Sequence, residues 1–397
     1  MAQYIYNQCP GARYSGVYQF VQPILLVKDP ELIKQLYIKD FDHFVDHMEF
    51  IPADADPLWN KGLLSLKGNS PFLGQEWRDM RILLTPSYTS SKIKSMFVLM
   101  TECAENFLEH FLKKNEDIIT LEVKDVFTRF TNDVIATTAF GVKVDSMAEP
   151  NNTLYLMAKE ATNFSGFWKT FKILLYLIFP QFSYFLQVNI YNSEVSRFFR
   201  ELINDTIKTR EERGIIRHDM LNLFMEARKG TDKHEDNGII DTEFATAQGS
   251  DLETQRKWPN FPVADRVCTK PYVIQATSPD ETPVQLEKGT VLWIPTFALH
   301  RDPKFYPNPE HFDPERFSDE NKVNIKPYTY LPFGGGPRNC IGSRFALLET
   351  KVVFFYILQH FEFVPVEKTQ IPLEMCKKNF SMTAADGFWL GLKRIKK

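Results

Sequence analysis

A chain of 397 residues can bury a substantial core, as one large domain or as two to three small ones. Its formal net charge of −3 gives no electrostatic case for a nucleic-acid partner, and its 5 cysteines, odd in number and without a CxxC pair, imply no disulfide framework and a reducing compartment. Phenylalanine is unusually common, at 34 residues, which suits a large apolar pocket or a membrane-facing patch.

The first ten residues, Met1 to Pro10, lack the charged start and apolar run of a secretory signal. Val17 to Val27 is rich in β-formers, interrupted by Pro23. Asp29-Pro30 predicts a short helix through Tyr37. His43 and His47, four apart, could share a helix face as metal ligands do. With no third ligand in view, a solvated pair is the better reading. Residues 51–76 carry enough Gly, Pro and Asp for an irregular loop. Trp77 and Arg81 then share a helix face, a pattern that any amphipathic turn could show.

Apolar residues recur at helical spacing from Ser91 to Leu112 and from Val123 to Phe140, which predicts two core helices; Asn132, Asp133 and Thr137 would make minor polar contacts there. Phe164 to Leu186 is the most apolar stretch, with Lys169 and Lys172 near its heart. Its unbroken run is short for a bilayer, so a core helix, an interfacial segment and a true span compete. Asn192 to Ala227 reads as charged helices. Arg228 to Leu252 is polar, holds three glycines and shows no apolar stripe, so a loop or linker is expected.

Glu253 and Arg256 are three apart on a helix that Trp258-Pro259 ends. Alone, such a pair is an ordinary surface salt bridge contributing under about 1 kcal/mol. A β region opens at Asp265-Arg266-Val267, and Val284 to Leu286 with Val291 to Ile294 predict a hairpin through Glu287-Lys288-Gly289. His300-Arg301-Asp302 looks like a kinase catalytic triplet. No Gly-rich phosphate loop or Asp-Phe-Gly accompanies it, so it is set aside. Four prolines between Pro303 and Pro314 predict an extended meander.

The densest signal is Phe333 to Gly342, Phe-Gly-Gly-Gly-Pro-Arg-Asn-Cys-Ile-Gly. Cys340 lies in a loop too rich in Gly and Pro to be helical. Ile341, Phe345, Leu348, Val352 and Phe355 then mark an amphipathic helix. A thiol before a helix N-terminus, with Arg338 two residues upstream, is placed to favour the thiolate. One soft ligand on a Gly-lined loop is a poor zinc site, which needs about four ligands, and a good single axial ligand for haem iron. Beyond it, a closing hairpin turned at Asp386-Gly387 is expected, with Met382 to Ala385 at its tip.

This loop fills every fixed position of the pattern F-x-x-G-x-R-x-C-x-G, with Phe333, Gly336, Arg338, Cys340 and Gly342, and so resembles the cytochrome P-450 superfamily, the haem-thiolate monooxygenases. The resemblance extends from Gly16 to the C-terminus, and the texture is similar to insect detoxifying members. It implies a mainly α fold with small β-sheets (α+β) over 1–397 as a single domain, with haem as cofactor. Cys340 would be the proximal iron ligand and Phe333 would pack beside the sulfur. Trp77, Arg81, Arg266 and Arg338 would face the haem propionates. Glu253, Arg256 and Arg316 would form a structural triad behind the loop. It further implies an NADPH-cytochrome reductase as partner, a lipophilic substrate, and the cytosolic face of the endoplasmic reticulum membrane, with the Phe171 region resting on the membrane surface. Microsomal members begin with an apolar anchor that is not seen here, so an N-terminal truncation is expected.

One family feature has no match. Between Ala227 and Glu253 the family carries further helices, including the long distal one with an acid-threonine pair in an A/G-G-x-D/E-T pattern. The nearest echo is Ala245-Thr246, preceded by Phe244 rather than an acid. An internal deletion near 228–252 is therefore expected, with its joint around Asp251-Leu252-Glu253, and no catalytic residue is assigned on the distal side. Two readings follow: a monooxygenase, or a truncated, catalytically inactive product that binds haem poorly or not at all.

Overall fold

The computed structural model describes residues 2–19, 22–49, 57–68, 76–163, 166–186, 188, 192–228, 245–279, 281–376 and 383–396. Its described strands are β1 (Tyr14–Gln19), β2 (Gln22–Val27), β3 (Ile118–Glu122), β4 (Ala264–Val267), β5 (Tyr272–Ile274), β6 (Val284–Leu286), β7 (Val291–Ile294), β8 (Phe361–Val364) and β9 (Trp389–Arg394). Helices carry most of the rest, giving the mainly α architecture with small sheets. The chain forms two compact units: one of residues 1–82, 174–187 and 242–341, the other of 83–173, 188–241 and 342–397.

In the first unit the main sheet has the order β1-β2-β7-β4. Ile24 to Val27 and Val291 to Ile294 are all buried, the continuous apolar run of strands covered on both faces. Pro23 lies opposite Tyr18 of β1, and the parallel ladder to β7 begins only at Ile24. A residue without an N–H is thus kept out of that ladder. Asp29 caps the helix Pro30–Lys34 by accepting the Leu32 N–H, and the chain continues as a π-helical turn, Gln35–Lys39.

The expected hairpin between Val284 and Ile294 does not form. The turn is there, with Gly289 at φ 94° and the Thr290 N–H donating to the Glu287 carbonyl. But β6 pairs with β5, while β7 is taken by β2 and β4. The fully apolar β7 is better buried inside the four-stranded sheet than on a two-stranded ribbon. His43 and His47 share no helix face either. His43 ends a 3-10 turn, and the chain is extended around Asp46, which bridges to Val267; no metal-binding cluster exists among the described residues.

The stretch read as a linker is also corrected in part. Residues 229–244 lie outside the described residues, but Ala245–Lys257 is a helix. It has no apolar stripe because it packs through polar groups. Glu253 and Arg256 are wholly buried, and a Cβ on Gly249 would stand only 2.7 Å from the Pro314 carbonyl oxygen.

In the second unit the helices Ser90–Leu112, Val123–Ile135 and Ser343–Leu358 share a core that includes Met96, Met100, Phe107, Phe111, Phe130, Val352 and Ile357. Asp133 accepts the Ser146 N–H and a bond from Asn132, a local polar role as expected. The sheet here has the order β3-β9-β8. Among the described residues no hairpin turns at Asp386-Gly387: β9 pairs with β3 and β8, and Ala384 makes a lone bridge to Met375. Side chains close over Gly391 of β9, where a Cβ would stand 2.7 Å from Ile118 and 2.8 Å from Val366. Met382 lies outside the described residues.

The apolar stretch forms helices Phe167–Ile178 and Pro180–Phe185. Phe167 and Trp168 are 77% and 70% exposed, and Phe171, Phe182 and Phe185 are exposed as well, which argues against a core helix. No helix among the described residues is long and apolar enough to cross a membrane.

Candidate cofactor site

The first unit holds the loop around Cys340. Its entrance is a turn in which the Gly334 N–H donates to the Leu331 carbonyl, and the Cys340 N–H donates to the Phe333 carbonyl at 2.9 Å, closing the loop on itself. Gly336 takes φ +69°, and a Cβ on it would sit 2.3 Å from the Tyr37 carbonyl oxygen. A Cβ on Gly335 would meet the Tyr37 ring at 2.9 Å. The loop therefore rests directly on the buried Tyr37 of the Gln35–Lys39 turn, which only glycine permits. The Cys340 side chain is exposed, and the Ser343–Leu358 helix starts three residues on, with Gly342 at its N-cap.

Three guanidiniums gather at this loop. Arg81, on the helix Glu76–Leu84, donates to the carbonyl and the Oδ1 of Asn339 at 2.8 and 2.7 Å. Burial lowers its pKa, and the nearby Cys340 works against that fall. Arg266 of β4 lies 4.4 Å above the Tyr37 ring and donates to the Gly335 carbonyl at 3.2 Å. Arg338 lies 4.0 Å over the buried Trp77 ring. Its three nitrogens donate to the carbonyls of Val45, Leu63 and Leu66, with Asp46 Oδ1 3.8 Å away. Burial pulls Arg338 down to about 9; Asp46 resists, and repulsion from Arg266 and Arg81 adds to the fall.

Like charges held this close in a buried setting call for an anionic partner. Arg266 supplies the sharpest sign, because its Nε is buried and has no hydrogen-bond partner. The expected residues thus converge: Trp77, Arg81, Arg266, Phe333, Arg338 and Cys340 all belong to one unit and one neighbourhood. Phe333 is half-buried and contributes its carbonyl to the loop closure. Arg338 anchors the loop to Val45, Leu63 and Leu66, a role that spacing alone did not reveal. The residues present fit a haem, with one accessible thiol for the iron and clustered guanidiniums for its carboxylates.

Behind the loop the triad is assembled. Arg256 grips Glu253 through two bonds of 2.7 Å, both residues at 0% exposure, and donates to the carbonyls of His300 and Pro309 at 2.6 and 2.7 Å. Arg316 Nε stands 3.7 Å from Glu253 Oε1, and the Asp313 N–H donates to the same oxygen at 3.0 Å. His300, set aside as part of a kinase-like triplet, belongs to this assembly: its Nδ1 is 3.1 Å from the Arg256 carbonyl oxygen and its Nε2 takes the Leu331 N–H at 2.8 Å. A sequence cue was available, namely a histidine closing the apolar turn Phe297-Ala298-Leu299.

An exposed thiol on a Gly-lined loop, with guanidiniums gathered at that loop and a buried Glu253–Arg256 pair in the same unit, fits the class of haem-thiolate proteins. The chain belongs to the cytochrome P450 family, whose profile matches residues 5–249 and 252–390. It is 40% identical to cytochrome P450 9e2 of Blattella germanica, over 99% of this chain and 87% of that protein. It is also 36% identical to the probable cytochrome P450 9f2 of Drosophila melanogaster, over 98% of this chain and 88% of the relative. Cytochrome P450 9b2 of Drosophila melanogaster follows at 32%, over 95% and 85%. The alignment to the cockroach protein covers 477 positions against 397 residues here, so that relative carries residues with no counterpart in this chain.

Proposed function

We propose that the chain is a haem-thiolate monooxygenase acting on a lipophilic small molecule, with dioxygen as oxidant and electrons from an NADPH-cytochrome reductase. The observation that carries this reading is the exposed Cys340 thiol near Arg81, on a loop where Arg266 and Arg338 also gather. Bound there, haem supplies the oxygen-activating redox chemistry of the family. The chain's own residues do the rest. Cys340 ligates the iron, and Arg81 and Arg266 pair with the carboxylates while Trp77 and Arg338 brace the loop. Glu253, Arg256 and Arg316 hold the frame behind it. We place the protein at the cytosolic face of the endoplasmic reticulum membrane, with Phe167, Trp168 and Phe171 against the lipid surface. Their exposure beside Lys169 supports an interfacial seat.

The sequence holds no acid-threonine pair, and this is the ground for the second reading, a chain that binds haem poorly or not at all and does not activate oxygen. We place the missing residues at Ser250-Asp251, where the family match breaks inside the Ala245–Lys257 helix. Expression of the chain, haem loading and reductase-supported oxidation of lipophilic probes separate the two. Haem-replete protein with coupled product formation establishes the monooxygenase and rejects the second reading, and a chain that loads little haem and forms no product establishes the second reading. Cys340→Ser is expected to abolish the thiolate-type spectrum of the reduced carbon monoxide complex, and a retained signal would refute the ligand assignment.

A further inference from the structure

His300 has no part in ligating or contacting the cofactor in the reading above, yet it is wholly buried and uses both ring nitrogens. The Leu331 backbone N–H can only donate, so Nε2 is the bare nitrogen. Nδ1 then carries the proton and donates to the Arg256 carbonyl. Arg256 answers through its side chain, donating from Nη1 to the His300 carbonyl at 2.6 Å. The His300 ring is stacked against Tyr330, 5.3 Å between centroids at 22°, with Tyr306 edge-on at 6.4 Å. Tyr330 makes a parallel tie, its hydroxyl donating to the Leu252 carbonyl at 3.0 Å. Two consecutive residues, Tyr330 and Leu331, are thereby fixed to the helix that carries Glu253 and Arg256. Leu331 is also the residue whose carbonyl receives the Gly334 N–H at the entrance of the cysteine loop.

We infer that His300 is a positioning residue: it transmits the placement of the Glu253–Arg256 helix, through the Leu331 amide, to the loop that presents Cys340. The inference rests on the haem-thiolate reading for its consequence, but the link itself exists in the haem-free chain. A neutral imidazole is the group suited to this task, since it accepts from one backbone group and donates to another across a fixed span. Burial holds His300 in that neutral form, its pKa brought down to about 3 with the charges of Arg256 and Arg301 adding to the fall.

Two substitutions split the two bonds. His300→Gln extends an oxygen to the Nε2 position and keeps an acceptor for the Leu331 N–H. His300→Asn keeps a donor at the Nδ1 position and loses that acceptor. The first readout is amide hydrogen exchange of Leu331 to Cys340 in the haem-free chain. The second is the share of thiolate-type signal in the reduced carbon monoxide complex. His300→Asn is expected to speed exchange of these amides at least tenfold and to cut the thiolate share severalfold. His300→Gln is expected to stay within twofold of the parent in both. Equal behaviour of the two variants, or parent-like exchange in His300→Asn, overturns the inference. If neither variant folds, nitrogen-15 spectra of histidine-labelled parent chain decide: a protonated Nδ1 and bare Nε2 at His300 support the link, and the opposite tautomer overturns it. Failure of the haem reading alone would leave the exchange result standing.

Discussion

Arg266 shows what a single residue reveals about the cofactor site. Its Nε is buried without a partner, and it pushes against Arg338. Removing that charge relieves repulsion in the haem-free chain and, on the proposed haem reading, takes away the partner of a haem carboxylate in the loaded one. Arg266→Gln should therefore leave the urea midpoint of the haem-free chain nearly unchanged, while haem dissociates roughly tenfold faster or more, since a charge-assisted bond is worth about 1.5–3 kcal/mol. Haem transfer to an acceptor protein measures the rate. Gly336→Ala tests the opposite balance. At φ +69° with the Tyr37 carbonyl oxygen 2.3 Å from the new Cβ, strain alone costs on the order of 1–3 kcal/mol. Haem content should fall together with stability, as read by denaturant titration. Gly336 and Arg338 were identifiable in sequence as fixed points of a pattern. The reasons they are fixed were not, because Tyr37 and Val45 lie some three hundred residues away in the chain.

At the scale of elements, the helix Ala245–Lys257 is held through the charges of Glu253 and Arg256, with Arg316 beside Glu253, instead of an apolar stripe. Glu253→Gln leaves Arg256 buried without its counter-charge, which should cost about 3–5 kcal/mol. The double variant Glu253→Leu/Arg256→Met removes both charges and should recover only part of that loss. The carbonyls of His300 and Pro309 and the Asp313 N–H would still lack their partners, at about 1–3 kcal/mol each, and Arg316 would lose the Glu253 charge. A double-variant cycle by urea unfolding checks this, and full recovery would show that the bonds to the carbonyls contribute nothing. The same chemistry explains why the element was hard to read from sequence. Its polar residues look like a linker when periodicity is the guide, and only the fully buried Glu253 and Arg256 reveal a core helix. Strands β6 and β7 misled differently: their local turn at Gly289 is real, but partner choice was decided by the burial of Val291 to Ile294 beside Ile24 to Leu26, a non-local matter. Helices with regular apolar spacing, such as Ser90–Leu112, were legible because their signal is local.

Across the whole molecule, each compact unit contains a buried titratable group with an opposite response to pH. In the first, His300 is held neutral, its pKa lowered to about 3 by burial and by Arg256 and Arg301. In the second, Glu349 is raised to about 7 by burial against a hydrogen bond from Thr131 that pulls it down, and its Oε1 has no partner. A lowered folded pKa gives stability that is present above the unfolded value near 6.5 and is lost as pH falls toward 3. A raised carboxyl pKa gives stability that is present below the unfolded value near 4.5 and is lost as pH rises through 7. Lowering the pH from 8 to 5 should thus weaken the first unit and strengthen the second. Each group contributes a slope of up to about 1.4 kcal/mol per pH unit within its window. Hydrogen-exchange protection factors, corrected for the intrinsic rate at each pH, can follow both units at once. Amides of β2 and β7 should lose protection while those of Ser343–Leu358 gain it. Glu349→Gln should remove the second response and raise stability at pH 8, and His300→Gln should remove the first. Parallel movement of both units, or unchanged slopes in both variants, would show that other groups govern the pH response.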